Sequence, residues 1–323
     1  MQLDKENSSV NKKNKQIIKQ LSIIIVNWNN EALLKNCLDS IFKTHHNRGY
    51  EIIVVDNHSA DDSVTLIKKK YPEIRLIKNK ENYGFARANN QAIKIARGNY
   101  LLLLNNDTLV TEDNCFSRMV QVMQDHPEIG VLGCRLYYPD GTLQSAGEEF
   151  PSAWNVFRNQ ILFMKSWQRL KDNNKIGNGY KKTDYVCGAC LMTSQKIIKQ
   201  VGMLQEDYFM YGEDVEFCYR VEQAGYEVGI INDISIVHLH SKSTEKNIIE
   251  ILKHSISNDL KNIRILYSSN FQLWLARLFY SVGLLIRAFL AIFRRDKRAG
   301  DYLKLLQWLL SGKGIETGAS YYF

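Results

Sequence analysis

Four consecutive leucines that end at a carboxylate constrain the fold of this chain more than any other stretch. Leu101 to Leu104 cannot alternate between core and solvent, so they predict a strand covered on both faces, as in a central parallel sheet. The apolar run stops at Asn105, Asn106 and Asp107. Because ligands of open α/β sheets bind at the carboxyl ends of strands, Asp107 is a candidate ligand for a divalent cation. A plain polar turn is the alternative.

Alternating strand and helix patterns surround this run and predict an α/β fold with a mostly parallel, Rossmann-like central sheet flanked by helices. In the first half we expect strands at 21–26, 52–55 and 74–77, and helices at 31–43, about 61–70 and 85–97, the last ended by Gly98. Further on we expect a helix at 113–125, strands at 129–136 and 184–193, helices at 194–201 and 214–224, and short strands at 226–231 and 234–239.

The charge of the chain is concentrated near its C-terminus. Residues 251–313 contain eleven Lys/Arg and three Asp/Glu, which gives +8 and leaves 31 charges of each sign elsewhere, out of totals of 42 and 34. This balance predicts a basic region that meets an acidic surface or a membrane. Nucleic acid is the alternative partner, but no motif of a nucleic-acid-binding fold accompanies the charge, so we expect none. A hydrophobic content of 45% excludes a disordered chain.

The N-terminal segment and the cysteines indicate the compartment. Residues 1–20 are polar and rich in Lys and Asn, so we expect a flexible basic tail without a secretory signal. Six scattered cysteines fit a reducing, cytoplasmic setting. Cys187 and Cys190 form a lone CxxC pair with no second pair nearby, so we expect a structural or incidental role for them.

A long apolar segment lies in the basic region. The 21 residues from Leu273 to Phe293 could just span a bilayer, but they include Arg277 and Arg287. Each arginine would cost on the order of 2.5–3.5 kcal/mol at a bilayer centre, and the two lie about 80° apart around a helix. The pattern favours a helix lying in the membrane interface, followed by the basic run 294–298. A spanning helix and a helix that only packs on the protein are the alternatives.

Polar residues at other predicted strand ends are further candidates. Asp56 ends the second strand and could accept hydrogen bonds from a nucleobase or a ribose. Asn82 and Gly84 belong to a turn into a helix, whose free N–H groups favour phosphate, although such turns are common.

Acids and histidines near the end of the α/β region complete the set. Glu213 and Asp214 start a helix, where crowded carboxylates at a cleft could supply a general base or only complement the helix dipole. His238 and His240 end the last strand and could bind a metal or be ordinary polar ends.

Six sequence blocks, taken in order, resemble the inverting family 2 nucleotide-sugar glycosyltransferases with the glycosyltransferase A fold. The resemblance covers about residues 20–242 and is greatest to the bacterial rhamnosyltransferase-like branch. The blocks are SIIIVNWN, VVDNHSADDS, NYGFARANN, LLLLNND, VCGACLM, and FMYGEDVEFCYRVEQAGY with VHLHS behind it.

The resemblance implies a role for each matched residue. Asp107 would be the metal ligand of the DxD-type motif, with His238, or failing it His240, as a further contact to Mg²⁺ or Mn²⁺ or to the diphosphate. Asp214 would be the catalytic base, steadied by Glu213. Gly188 and Ala189 would lie on the acceptor side of the sugar site. The donor-nucleotide site would comprise Val26, Asn27, Trp28, Asp56, Asn82, Gly84, Asn89, Asn105 and Asn106.

Two departures from the family pattern affect these expectations. Asn105 and Asn106 replace the first acid and the middle residue of the motif, so metal ligation would rest mainly on Asp107. Asp56 is followed by Asn57, where many relatives have two acids. The Asp-Asn pair resembles the rhamnosyl branch, which uses dTDP-rhamnose, but it does not exclude UDP-sugars.

The resemblance also implies an organisation and an activity. We expect a tail at 1–20, a nucleotide-sugar glycosyltransferase domain at 21–245, and a helical, basic, membrane-associated region at 246–323. The expected reaction is inverting transfer of a sugar, best matched by L-rhamnose, to a hydroxyl of a polyprenyl-diphosphate-linked saccharide at the inner face of the cell membrane, in cell-surface polysaccharide assembly. The alternatives are a UDP-hexose or N-acetylhexosamine transferase of the same family and a non-catalytic nucleotide-sugar-binding module.

Overall fold

The computed structural model describes residues 20–45, 49–144, 147–162, 179–239 and 248–312. The expected N-terminal tail, apart from residue 20, and His240 lie outside the described residues. The first half of the chain alternates strand and helix, as the sequence predicts. Its elements are β1 (Leu21–Asn27), α1 (Glu31–Thr44), β2 (Tyr50–Asp56), α2 (Ser63–Lys70), β3 (Arg75–Lys78), α3 (Phe85–Ile95) and β4 (Tyr100–Asn105). These four strands pair in parallel in the order β3-β2-β1-β4.

The second half of the chain extends the same sheet with mixed strand directions. Its elements are β5 (Thr108–Val110), α4 (Cys115–Asp125), β6 (Ile129–Tyr137), β7 (Leu143–Gln144), β8 (Gly147–Glu148), α5 (Ala153–Gln160), β9 (Tyr180–Lys182), β10 (Tyr185–Val186), β11 (Cys190–Ser194), α6 (Gln195–Val201), α7 (Glu213–Gln223) and β12 (Glu227–His238). The main sheet continues from β4 through β11, β6 and β12 to β5, while β8 and β10 form a separate two-stranded sheet.

Two strand predictions were wrong in detail. The single strand expected at 184–193 is two short strands, β10 and β11, in different sheets, and β11 runs antiparallel to both β4 and β6. The two strands expected at 226–231 and 234–239 are one strand, β12, whose register shifts between Ile231 and Ser235. The apolar pattern of the sequence does not show either irregularity. In the 184–193 stretch a turn that leads into Cys190 divides the strand, and in the 226–239 stretch a bulge leaves the strand continuous.

The leucine run is buried on both sides, as predicted. Leu102 and Leu104 belong to the hydrophobic cluster under α1 and α4, whereas Leu101 and Leu103 belong to the cluster under α3, α6 and α7. The six cysteines are all free.

Gly98 does not end α3, because that helix already stops at Ile95 with Ala96 as its C-cap. A Cβ on Gly98 would lie 2.5 Å from the Ser22 backbone nitrogen, so the glycine permits close packing against β1.

Three helices follow the sheet: α8 (Ile248–Tyr267), α9 (Asn270–Phe293) and α10 (Ala299–Leu310). They share a third hydrophobic cluster with α5, centred on residues such as Leu260, Ala276 and Leu305. Among the described residues α9 alone is long and apolar enough to cross a membrane, with a mean hydropathy of 1.8 over a window of which 33% is buried. Arg277 and Arg287 donate hydrogen bonds to the backbone carbonyls of Leu309 and Gln160, so both guanidinium groups face protein.

Candidate active site

The register of the parallel strands brings the predicted nucleotide residues to one sheet edge. Asn27 pairs with Asp56 across β1 and β2, and Val26 pairs with Asn105 across β1 and β4. Asp56 is buried, and its Oδ2 accepts a hydrogen bond from the Ser59 N–H at 3.1 Å. Its Oδ1 is buried without a hydrogen-bond partner among the described residues. A buried acceptor of this kind carries an energetic cost unless a donor reaches it, so it fits a ligand N–H.

Asn27 links the strand ends to each other. Its Oδ1 accepts from the Asn106 side-chain amide at 2.7 Å, and its own amide nitrogen lies 3.3 Å from the Ser59 hydroxyl. Trp28, next in the chain, is 50% exposed and offers an aromatic face beside this polar edge. The arrangement combines a buried acceptor with an accessible ring, which suits recognition of a planar base.

Asn57, which the sequence analysis named only as the partner of Asp56 in the Asp-Asn pair, organises the turn into α3. Its amide nitrogen donates to the Asn82 Oδ1 at 2.9 Å and to the Gly84 carbonyl at 3.1 Å. Gly84 has φ +79°, and a Cβ there would lie 2.5 Å from the Phe209 carbonyl oxygen. Asn89 is buried and donates back to the Phe85 carbonyl within α3. Side-chain amides therefore hold this turn in place. In the sequence these residues are scattered asparagines, whose positions do not indicate this role.

Asp107 and His238 come together at the end of β12. The Asp107 Oδ1 lies 3.2 Å from the His238 Nε2, and both side chains are about nine-tenths buried. The His238 Nδ1 lies 3.0 Å from the Gln144 Oε1, while the Gln144 amide donates to the His238 carbonyl at 2.6 Å. Because an amide oxygen can only accept, Nδ1 carries the proton and the ring is fixed in orientation.

This geometry fits a divalent cation. The His238 Nε2 and the Asp107 Oδ1, 3.2 Å apart, converge on one point, as two ligands of a single cation would. Histidines that bind metals commonly donate their other N–H to an oxygen in this way. Asn105 also reaches the site, its amide nitrogen 3.4 Å from Nε2. No group of three or more His, Cys, Asp or Glu that could hold a metal occurs in the described part of the chain, so a cation here would need further oxygen ligands from a substrate or water.

The two acids at the start of α7 occupy different environments. The Asp214 Oδ2 accepts from the Gly188 N–H at 2.9 Å, and its Oδ1 accepts from the Val215 N–H. Burial raises the pKa of Asp214, although these N–H groups oppose the shift. Burial and then the charge of Asp214 raise the pKa of Glu213 well above its usual range. The Glu213 Oε2 is buried and has no hydrogen-bond partner among the described residues, which favours a protonated Glu213 beside an ionised Asp214.

A backbone path connects the two acidic centres. The Ala189 carbonyl accepts from the Asn105 N–H at 3.0 Å, and Gly188, next to it, donates to Asp214. The turn that separates β10 from β11 therefore touches both the end of β4 and the start of α7. It places the predicted acceptor-side residues between the predicted metal ligand and the predicted base.

Helix α8 holds the turn that leads into α7, which the sequence analysis did not anticipate. Tyr211 and Gly212 have φ +70° and +94°, both in the left-handed region. The Asn258 amide donates to the carbonyls of Met210 and Tyr211 at 2.8 and 2.6 Å, and the Asn262 amide donates to the Gly212 carbonyl at 3.2 Å. Both asparagines are buried. The two asparagines are four residues apart and therefore lie on one face of α8, which is the sequence feature that could have indicated their shared role.

The parallel strands of the sheet collect an acid-histidine pair and a second buried acid at their carboxyl edge, which is the arrangement that the resemblance to the glycosyltransferase A fold implies. Residues 22–202, more than half of the chain, match the family model described as glycosyl transferase family 2. The chain therefore belongs to glycosyl transferase family 2.

Relatives with curated names agree with this family. The chain is 25% identical over 226 residues to a low-salt glycan biosynthesis hexosyltransferase of Haloferax volcanii, covering 69% of this chain and 68% of the relative. It is 22% identical to the N-acetylglucosaminyl-diphospho-decaprenol L-rhamnosyltransferase of Mycobacterium tuberculosis, covering 62% and 70%. An O-antigen biosynthesis protein of Myxococcus xanthus is 27% identical over 71% of this chain. The match spans only 18% of that protein and 23% of an uncharacterised Sinorhizobium fredii protein.

Solved structures share the fold. A mannosyltransferase from Pyrobaculum calidifontis, in complex with GDP-Man and Mn²⁺, superposes with a TM-score of 0.56 at 17% identity and covers 91% of this chain and 86% of its own. GalNAc-T7 with UDP, GalNAc and Mn²⁺ gives a TM-score of 0.52 at 16% identity over 68% of this chain and 43% of its own. The predicted fold class is thus confirmed. The individual site roles and the rhamnosyl branch stay predictions.

Proposed function

We propose that this protein transfers a sugar, with inversion, from a nucleotide-sugar donor to a hydroxyl group of a saccharide acceptor. The observation that carries the proposal is the short path between two acidic centres: Asp107 with His238 at one end, and Asp214 at the other, joined through Ala189 and Gly188. One centre suits the diphosphate of a donor, and the other suits the proton of an acceptor hydroxyl.

Each residue of the site has a separate role in the proposed reaction. Asp56 accepts an N–H from the base, and the exposed face of Trp28 packs on it. A divalent cation, Mg²⁺ or Mn²⁺, held by Asp107, His238 and the donor diphosphate would neutralise the negative charge that develops on the leaving nucleoside diphosphate. Asp214 takes the proton of the acceptor hydroxyl, whose oxygen bonds to the anomeric carbon as the bond to the phosphate oxygen breaks on the opposite face. Protonated Glu213 adds no second negative charge beside the base.

The donor we propose is dTDP-rhamnose. The Asp-Asn pair at the end of β2 supports it, and the unpartnered Asp56 Oδ1 fits the imide N–H that thymine and uracil share. A UDP-hexose or UDP-N-acetylhexosamine therefore remains the alternative donor within the same family. A non-catalytic nucleotide-sugar-binding module is disfavoured, because both Asp107 and Asp214 are present in geometries suited to chemistry.

The test is a donor panel with purified protein and Mg²⁺, containing dTDP-rhamnose, UDP-glucose, UDP-galactose and UDP-N-acetylglucosamine. We expect turnover of dTDP-rhamnose, abolished by EDTA and restored by Mg²⁺ or Mn²⁺. Turnover of a UDP-sugar alone would keep the reaction and reject the rhamnosyl branch. Activity that survives EDTA would contradict a metal role for Asp107. Absence of both turnover and nucleotide binding would contradict the proposed function itself.

The surface of α9 supports a peripheral position on a membrane, where a polyprenyl-diphosphate-linked acceptor would be found. One face of α9 packs on the protein, and the other exposes an apolar stripe about 32 Å long. The stripe consists of Phe271, Trp274, Leu278, Val282, Leu285, Phe289 and Ile292, each at least 36% exposed. Because Arg277 and Arg287 bond to protein carbonyls, neither opposes burial of the stripe in lipid. Exposed basic residues at 294, 295 and 297 follow and suit anionic headgroups at the inner face of the cell membrane.

Vesicle sedimentation tests this position. We expect the protein to bind phosphatidylcholine vesicles that contain phosphatidylglycerol, and to bind pure phosphatidylcholine vesicles less. A Trp274→Ser, Phe289→Ser double variant should lose most of the binding, because burial of each ring contributes about 1.5–3 kcal/mol. Ile95→Ser, on an exposed site of α3, is the matched control and should bind as the wild type does. Equal binding by the double variant would exclude the stripe as the membrane contact.

A further inference from the structure

A cleft of about 190 Å³ opens beside Asp214, between the small β8–β10 sheet and α8. Its lining includes Tyr185 from β10, Tyr211 from the left-handed turn, and Ser255, Asn258 and Asp259 from α8. The sequence analysis assigned this first C-terminal helix to a membrane-associated region. The structure makes it one wall of a cavity that contains the proposed base.

The cleft is distinct from the group of donor-nucleotide residues. Those residues occupy the ends of β2, β1 and β4, whereas Asp214 contacts the turn that follows β10. None of the residues assigned to the nucleotide or to the metal lines the cleft. A molecule in this space can therefore reach the Asp214 carboxylate without displacing the donor.

The lining has the chemistry of a carbohydrate site. The Ser255 hydroxyl can donate to and accept from sugar hydroxyls, and the Asp259 carboxylate can accept from them, while Tyr185 and Tyr211 provide rings for the C–H face of a sugar. The volume corresponds to about six waters at roughly 30 Å³ each, the scale of a single sugar ring. No Lys or Arg of the described residues lines it, and its two carboxylates disfavour a phosphate group.

The α8 wall is fixed in place. Asn258 holds the 210–212 turn through two hydrogen bonds, and the Tyr280 hydroxyl of α9 donates to the Asp259 Oδ2. Leu260 is fully buried in the cluster that joins α8 to α5, α9 and α10. The polar groups are therefore preorganised, which lowers the entropy cost of binding a ligand to them.

We propose that this cleft is the acceptor subsite and that it binds one uncharged sugar ring of the saccharide acceptor, with Ser255 and Asp259 of α8 contacting its hydroxyls. The inference rests on the proposed function and extends it by placing the acceptor between α8 and Asp214. It adds residues of the C-terminal helices to an acceptor side for which the sequence indicated only Gly188 and Ala189.

Saturation-transfer NMR tests the subsite without knowledge of the natural acceptor. The probes are the methyl glycosides of rhamnose, glucose, galactose and N-acetylglucosamine, added to the full chain with saturating dTDP, and separately UDP, and Mg²⁺. We expect at least one glycoside to bind with a Kd in the millimolar range. Ser255→Trp, which fills the cleft, should abolish the signal, and Asp259→Asn should weaken binding about tenfold by removing charge-assisted hydrogen bonds. Arg264→Trp, at an exposed position of the same helix, is the matched control and should bind as the wild type does.

The experiment separates failure of the acceptor subsite from failure of the proposed function. If nucleotide binds but no glycoside gives a signal, or if Ser255→Trp keeps the full signal, the subsite is refuted and the proposed function stands. If neither dTDP nor UDP binds, the proposed function fails and the subsite fails with it.

Discussion

Replacing Asn258 by aspartate would test whether α8 positions Asp214, the proposed base. The side chain keeps its shape but loses the two N–H donors that now bind the carbonyls of Met210 and Tyr211. A carboxylate oxygen would then face two carbonyl oxygens at 2.6–2.8 Å in a site where Asn258 is only 5% exposed. The turn that precedes Asp214 would lose the contacts that hold it in the left-handed region.

The expected magnitude follows from these contacts. Two carbonyls without partners cost about 1–3 kcal/mol each, and relaxation of Tyr211 out of the left-handed region returns about 1–2 kcal/mol. The net loss of about 2–3 kcal/mol should lower the Tm by roughly 3–5 °C. A shift of Asp214 by about 1 Å should reduce kcat about 10²-fold. The new carboxylate would also place a negative charge near Asp214, whose pKa burial already raises, so the acid limb of the kcat profile should move to higher pH.

The assay combines kinetics with hydrogen exchange. The variant should show a reduced kcat, a donor KM close to that of the wild type, and faster amide exchange in peptides covering residues 208–216. Asn270→Asp, the same substitution at an exposed helix start, is the control and should change none of these. A variant that unfolds more easily but keeps the wild-type pH profile and the wild-type exchange in 208–216 would refute the positioning role of Asn258.

Three further predictions concern the base, the fold and the donor turn. Asp214→Asn should lower the transfer rate about 10²–10⁴-fold with nucleotide affinity unchanged. In the wild type, the rate should fall as pH drops through the raised pKa of Asp214. A transfer rate close to that of the wild type in the variant would exclude Asp214 as the base. Burial alone would raise the pKa of Glu51, but its hydrogen bonds and a neighbouring guanidinium hold that pKa below its usual value. Its contribution is therefore present above the unfolded pKa and lost as pH falls, so Glu51→Gln should cost about 2–3 kcal/mol in urea unfolding at neutral pH and little in acid. Gly84→Ala, whose Cβ would lie 2.5 Å from the Phe209 carbonyl, should raise the donor KM and destabilise the protein by more than about 2 kcal/mol. Gly141→Ala, with the same φ of +79° but open space around its Cβ, should cost only about 1 kcal/mol. Equal effects of the two substitutions would refute the steric argument.

The basic C-terminal helices make two kinds of contact, where the sequence analysis predicted only a membrane contact. The stripe on α9 faces outwards, whereas Asn258 and Asn262 of α8 bind the 210–212 turn that leads into α7. One helix therefore supports the membrane proposal, and its neighbour holds the turn before the proposed base.

The sequence by itself determined the parallel half of the sheet, β1 to β4, and the edge at which its polar residues collect. Leu101 to Leu104 required burial on both faces, and parallel strands necessarily end at one edge, so Asp56 and Asp107 could be placed together from periodicity and chain order alone. These inferences depend on contacts that are local or repeat along the chain.

Only the tertiary structure decided how the side chains of the site are held. Gln144 orients His238 from 94 residues away, and Asn258 binds the turn before Asp214 from 47 and 48 residues away. An asparagine or glutamine amide carries no periodic signal, and its role depends on which carbonyl the packing of distant elements brings within 3 Å. The same holds for Arg277 and Arg287, because the sequence gives their spacing around the helix but not the neighbouring carbonyls that receive them.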